Sequence, residues 1–197
     1  TVVNLVSRFY DIQSGRILID GIDIKTVTLD SLRTQMGVMT QDNYIFSGTI
    51  RENIAYGNLN ATEEEIIEAS KAVHAHDFIC KLENGYDTKL TARGGELSNG
   101  QRQLVAFART MLSKPAILIL DEATSSIDTK TELLIQAGIS QILKGRTSFV
   151  IAHRLSTIQN ADRIFVIDDG GIVESGTPKE LIEKNGVYRK LYDTQFI

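Results

Sequence analysis

Apolar residues change their period twice along the chain, and the changes divide it into elements. Over 99–112, Leu104, Val105, Ala108, Met111 and Leu112 recur at helical spacing, which predicts an amphipathic helix. Ser98 and Gln101 stand in the S-x-x-Q spacing of a capping box, so this helix should begin near Asn99, and Lys114-Pro115 closes it. The next run, Ala116, Ile117, Leu118, Ile119 and Leu120, is continuously apolar and ends on Asp121 and Glu122. It is short enough for a buried strand.

Upstream, the apolar positions of 1–9 fit a helix, and 15–24 reads as a hairpin about an Asp20-Gly21 turn. A short helix over 28–33 and a strand over 35–40 follow, the strand delivering Gln41. Strand character then disappears from about 48 to 112, which predicts a helical subdomain. Within it, Thr62 before Glu63, Glu64 and Glu65 marks a capped helix start, running to about His74. Beyond 116 the alternation resumes: helix 129–143, strand 147–152 delivering His153, strand 162–168, and a hairpin at Asp169-Gly170-Gly171. Pro178 opens a further helix, and a last one holds Tyr188 and Tyr192. Strands alternating with helices predict a parallel, three-layer α/β core.

Composition narrows the class. At 197 residues and 42% hydrophobic, the chain can bury a sizeable core. Lys and Arg number 21 against 25 Asp and Glu, a formal net charge of −4, which argues against a nucleic-acid surface. Cys80 stands alone, so no internal disulfide forms, as suits a reducing cytosol. No apolar run approaches the length a membrane span needs. There is no signal peptide, although an internal segment would not carry one.

Two places suit phosphate. A helix start leaves backbone N–H groups unpaired and carries the positive end of the helix dipole. Gly100, with no Cβ, lets an anion approach the backbone. The second place is the acid-tipped end of the strand over 116–120, because open parallel sheets bind ligands beyond their carboxyl ends. Each feature alone has a plainer reading. S-x-x-Q is a helix cap, Asp121-Glu122 a turn, Gln41 a turn residue, His153 a satisfied buried histidine, and Asp128 a helix N-cap. The combination is more specific: LSNGQRQ, a helix, then ILILDEATSSID resembles the signature motif, Walker B and D-loop of the ATP-binding cassette family. VMTQDNYIFSGTIREN is similar to the family's Q-loop and IAHRLSTIQNADRIFVIDDG to its H-loop segment. FSGTIRENIAYG, GYDTKL and ESGTPKELIEKNGVYRKLY resemble the exporter branch, so the likeness runs through essentially the whole chain.

The resemblance implies a P-loop NTPase-like (RecA-like) three-layer core, 1–47 and 113–197, with an inserted all-helical subdomain over about 48–112 that carries the signature. It implies that Ser98, Asn99, Gly100 and Gln101 face ATP bound to a second nucleotide-binding domain, identical or related. Asn99 replaces the family's usual glycine. Asp121 would hold Mg2+, a hard cation that keeps several waters and so needs few protein ligands. Gln41 would touch that ion and the attacking water, and Glu122 would orient and deprotonate the water. His153 would hydrogen-bond the γ-phosphate, and Asp128, with Ser125, Ser126 and Ile127, would cross to the partner. Phosphoryl transfer asks for this, charge neutralisation and a positioned nucleophile. In the loop before the signature, Ala92 stands where the branch usually has glutamate.

No G-x-x-x-x-G-K-[ST] phosphate loop occurs in the chain, which opens on the residues expected just after one. The N-terminal strands and the adenine-stacking aromatic of the family are likewise missing. Losing one preorganised donor at an anion site costs about 10²–10³ in rate, so the 197-residue chain alone is expected to be inactive. It is also expected to be marginally stable or self-associated, since unpaired sheet edges invite another chain. The protein of which it forms part is expected to be a transport ATPase at the cytoplasmic face of the cell membrane, joined to transmembrane domains. The competing classes are a soluble cassette ATPase acting on DNA or ribosomes and a non-catalytic cassette completing a partner's site.

Overall fold

The computed structural model describes residues 2–40, 44–121, 129–152 and 158–196. By its internal contacts the chain falls into two units, 1–149 and 150–197. The first begins with helix α1 (Val2–Val6), strands β1 (Leu18–Ile19) and β2 (Ile22–Asp23), helix α2 (Leu29–Thr34) and strand β3 (Met36–Met39). Strand β4 (Gly48–Thr49), helices α3 (Ile50–Ala55), α4 (Glu63–Ala72) and α5 (His76–Ile79), a 3-10 turn (Gly85–Asp87) and strand β5 (Lys89–Leu90) follow. Helix α6 (Asn99–Ser113), strand β6 (Ile117–Asp121) and helix α7 (Thr129–Leu143) come next, and strand β7 (Thr147–Ile151) runs across the boundary.

The β1–β2 hairpin turns on Asp20 at φ 50° and Gly21 at φ 80°. Both are left-handed, as a two-residue turn matching the strand twist requires. Strand β3 pairs with β6 in parallel, from Met36 opposite Ile117 to Met39 opposite Leu120. The sheet order is β3-β6-β7. Leu118, Ile119 and Leu120 are all buried, which accounts for the unbroken apolar run: a central parallel strand is covered on both faces. The chain is thus an α/β fold with a parallel sheet.

Helix α6 is the hub of this unit, packing on α3, α4, α7 and β3. Leu104, Val105, Phe107, Ala108 and Leu112 are buried along it, and each large apolar side chain so buried contributes about 1.5–3 kcal/mol. It ends at Lys114, whose left-handed conformation (φ 47°, ψ 50°) closes the last turn before Pro115 bars continuation. Thr62 caps α4 with Glu65 in a full capping box, and His74 at φ 61° ends that stretch.

The subdomain expected over 48–112 is not wholly helical. Gly48 pairs with Leu90 and Thr49 with Lys89 in a two-residue antiparallel bridge. Two residues are too few for an alternating pattern, so nothing in the local sequence announces it. Thr49 also caps α3, with Glu52 completing the box.

In the second unit, β8 (Ile164–Asp168) and β9 (Gly171–Gly176) form a hairpin, and helices α8 (Pro178–Lys184) and α9 (Val187–Phe196) follow. The strand begins two residues later than the expected 162, and the hairpin turns on Asp169 at φ 44° and Gly170 at φ 76°. Ile164, Val166, Leu181 and Tyr188 form its core, while Phe165 and Ile167 on the opposite strand face are exposed. Thr177 and Glu180 make another capping box, with Pro178 in the first turn. Glu174 accepts from the Val187 N–H at 2.6 Å and the Tyr188 N–H at 3.1 Å, capping α9. Among the described residues no helix is long and apolar enough to cross a membrane.

Candidate functional site

At the start of α6 the sequence-level cap is realised atom by atom. Ser98 is extended (φ −65°, ψ 162°) and its Oγ accepts from the Gln101 N–H at 3.2 Å. In return the Ser98 N–H donates to Gln101 Oε1 at 2.9 Å. Because the cap uses the serine oxygen as an acceptor, the hydroxyl proton is left to donate elsewhere. Ser98 and Asn99 are exposed, Gln101 is half-buried and Gly100 is buried. The face of this end open to solvent is therefore the Ser98–Asn99 side, where the positive end of a 15-residue helix would favour an anion.

The turn leading into the helix is held by Arg102. Its Nη1 donates to Gly94 O at 3.2 Å and Leu97 O at 2.8 Å, and its Nη2 donates to Asn99 Oδ1. The Asn99 amide is thus engaged within its own turn. Glu96 closes the preceding loop by accepting from the Thr91 N–H at 3.1 and 3.2 Å. Its carboxyl is held below the usual carboxylate range, first by its own backbone N–H and then by Thr91. Arg93 and Gly94 in this loop have φ 74° and 62°. Beside them the Arg93 N–H donates to Ile45 O at 3.0 Å.

The second candidate place lies where β3 and β6 end. Their parallel pairing sets Met39 opposite Leu120, so the two strands finish side by side, with half-buried Asp121 the last residue of β6. A lone carboxylate at the end of a buried parallel strand suits a magnesium ion, which takes hard oxygen donors and retains waters. No group of three His, Cys, Asp or Glu able to hold a metal occurs among the described residues. Gln41, Glu122, Asp128 and His153 lie outside the described residues.

Asn53 and Arg109 join a further polar cluster that no local sequence pattern announces. Asn53 is 1% exposed and uses its whole hydrogen-bonding capacity. Its Oδ1 accepts from the Phe46 N–H at 2.9 Å and from Arg109 Nη2 at 3.0 Å, and its Nδ2 donates to Phe46 O at 2.9 Å and Thr49 O at 3.0 Å. Arg109 Nε donates to Asn53 O at 2.8 Å and Nη1 to Tyr44 O at 3.0 Å. Its guanidinium lies over the Phe46 ring, 5.1 Å from the centroid. Burial pushes the Arg109 pKa down. The only hint in the sequence is a charged residue inside the apolar stretch of α6.

Comparison with known proteins gives a consistent picture. The family model described as ABC transporter matches residues 1–125. The chain is 53% identical over 196 residues to the Uncharacterized ABC transporter ATP-binding protein YfiC of Bacillus subtilis (strain 168), covering 100% of this chain and 32% of that protein. It is 53% identical over 196 residues to the ATP-dependent lipid A-core flippase of Syntrophus aciditrophicus (strain SB), covering 100% of this chain and 33% of the flippase. Among solved structures, a bacterial Atm1-family ABC exporter with ATP bound superposes with a TM-score of 0.92 at 44% identity, covering 100% of this chain and 34% of that one. The chain spans about a third of the length of the curated relatives it matches.

Proposed function

The chain belongs to the ATP-binding cassette transporter family, and from that membership we propose that it is the ATP-binding and hydrolysing domain of an exporter. In this reading it works at the cytoplasmic face of a cell membrane, pairs with a second nucleotide-binding domain, and couples ATP hydrolysis to substrate export through transmembrane domains. The observation that carries the reading is the exposed, capped start of α6, with Ser98 free to donate its proton, on the same unit as two parallel strands that end together.

The roles follow from the chemistry of the side chains. The Ser98 hydroxyl and the free N–H groups of the first turn of α6 receive phosphate oxygens of ATP held by the partner domain. Asn99, Gly100 and Gln101 shape that turn, and Asp128 contacts the partner. Asp121 with Gln41 would hold Mg2+, which would supply neutralising charge to the phosphates. Glu122 takes a proton from the attacking water as its oxygen bonds to the γ-phosphorus. The bond to the bridging oxygen breaks, and ADP leaves with the electron pair. His153 hydrogen-bonds the γ-phosphate as charge redistributes over its oxygens.

Glu122→Gln in the full-length protein tests this. ATP binding is expected to persist while turnover collapses; normal turnover removes Glu122 from the mechanism.

A further inference from the structure

The geometry points to Arg109 as a positioning residue: it clamps the strip Tyr44, Ile45 and Phe46, which begins three residues after Gln41, onto the helix that presents Ser98. The inference rests on the function proposed above for those two residues and adds to it the device that makes their mountings move as one.

Every backbone carbonyl of the strip is held. Tyr44 O accepts from Arg109 Nη1, Ile45 O from the Arg93 N–H, and Phe46 O from Asn53 Nδ2. Two of these holds converge on α6, the first directly and the second through the loop that Arg102 secures at Gly94 O. Arg109 reaches α3 as well, through Asn53 O and Oδ1. Its guanidinium lies over Phe46, which stacks on Tyr56 with centroids 4.4 Å apart and planes 17° from parallel. At Gly57 the chain after α3 passes so close to α6 that a Cβ would run into the Arg109 carbonyl. The side chain of Arg109 therefore fixes Tyr44 and Asn53 to α6, and its main chain lies close against Gly57.

The residue type matters. A guanidinium presents donors in a rigid plane and serves Tyr44 O, Asn53 O and Asn53 Oδ1 together, while its face stays on the ring. A lysine ammonium is a point donor on a flexible stem and cannot hold three acceptors in that fork. Ser98 lies eleven residues earlier on the same helix, about 16 Å at 1.5 Å per residue, and a helix transmits displacement over that distance as a rod. A shift of the chain at Tyr44 is thus carried to the first turn of α6.

The test uses the full-length protein with Arg109→Lys, Arg109→Gln, Asn53→Ala and the Arg109→Gln/Asn53→Ala pair. Steady-state ATPase kinetics are read beside the thermal midpoint. Misplacement of a reacting group by about 1 Å costs up to 10²-fold, so Arg109→Gln is expected to lower kcat roughly 10- to 100-fold with KM for ATP within about twofold. Arg109→Lys should recover only part of the loss. The double variant should be no worse than the poorer single one, because the two residues act as a unit. An unchanged kcat per folded molecule, a rise in KM alone, or losses that multiply in the double variant would each overturn the inference. If Arg109→Gln does not fold, Arg109→Lys decides: wild-type kcat at an unchanged midpoint overturns it. Hydrogen exchange separates this from the functional reading. Should the wild-type protein prove to have no ATPase activity, that reading fails, and the clamp stands or falls on whether Arg109→Lys raises exchange at 44–46 and 99–104 together.

Discussion

Removing the Asn53 side chain measures how much of the first unit's stability depends on one fully satisfied amide. Asn53→Ala deletes four hydrogen bonds: those from the Phe46 N–H and Arg109 Nη2, and those to Phe46 O and Thr49 O. The bond from the Arg109 guanidinium is charge-assisted, of a kind worth about 1.5–3 kcal/mol, and the three neutral ones are each worth about 0.5–1.5 kcal/mol. Phe46 is only half-buried, so water replaces part of what is lost there, and deletions within one network do not add. The expected cost is therefore about 3–5 kcal/mol, a large share of the roughly 5–15 kcal/mol that holds an ordinary domain together. For a chain of this length each kcal/mol corresponds to about 2–4 °C in Tm, which gives a fall of about 6–20 °C. Urea unfolding of the 197-residue chain, followed by circular dichroism, measures it at constant m-value. A cost below about 1 kcal/mol would mean that water replaces the network at little penalty, and would refute the claim that this amide holds the unit together.

Two further perturbations separate stability from function. Glu174 carries a carboxylate that receives the Tyr188 and Val187 N–H groups in the native state, and these hold its pKa below the usual range. A depressed native pKa stabilises the fold above the unfolded value of about 4.3 and is lost as pH falls through the folded one. The difference in Tm between wild type and Glu174→Gln should accordingly be constant above about pH 5 and shrink below it; a difference independent of pH would sink the assignment. Ser98→Ala removes the cap of α6, a loss of about 1 kcal/mol and a few degrees in Tm. If Ser98 also donates to phosphate, turnover of the full-length protein drops by about 10²–10³, far beyond the loss of folded protein. A turnover deficit no larger than the folding deficit would confine Ser98 to capping.

What could be read in advance was whatever a few neighbouring residues decide. Ser98 with Gln101 and Thr62 with Glu65 announce helix starts because the reciprocal bonds span only three residues. Asp20-Gly21 and Asp169-Gly170 announce hairpins because both central positions must be left-handed. The apolar run before Asp121 announces a buried strand, and the alternation of elements implies the parallel pairing that sets Met39 beside Leu120. The bridge from Gly48 and Thr49 to Lys89 and Leu90 has no such herald, because its partners are remote in the chain and its length is below one period. Arg109 is hidden for the same reason. Its partners lie 56 and 65 positions away, and only tertiary packing brings them into reach. As for the site, Ser98 and Asp121 could be placed by local rules. The roles of Gln41, Glu122, Asp128 and His153 come from resemblance alone, since a lone acid, amide or imidazole after a strand carries no pattern of its own.

The division of labour along α6 explains why its cap and its clamp occupy different ends. From Leu104 to Leu112 the helix is surrounded by α3, α4, α7 and β3, so burial alone sets its axis, and a ligand could not enter without displacing side chains worth about 1.5–3 kcal/mol each. The first turn bears no such load: Ser98 and Asn99 meet solvent, and the turn is shaped by hydrogen bonds instead. A phosphate arriving there meets N–H groups already aimed and a dipole already aligned, so little reorganisation is needed on binding. Arg109 sits where the two regimes must be joined to the rest of the chain. Its guanidinium is desolvated, which lowers its pKa, and it meets carbonyl and amide oxygens of Tyr44 and Asn53. Arg109 is half-buried and its bond to Tyr44 O meets solvent, and a partly desolvated cation is costly unless its donors are satisfied, so movement of the strip away from α6 costs hydrogen bonds that water only partly replaces. That penalty, rather than a flexible hinge, is what ties the chain beyond Gln41 to the helix that carries Ser98.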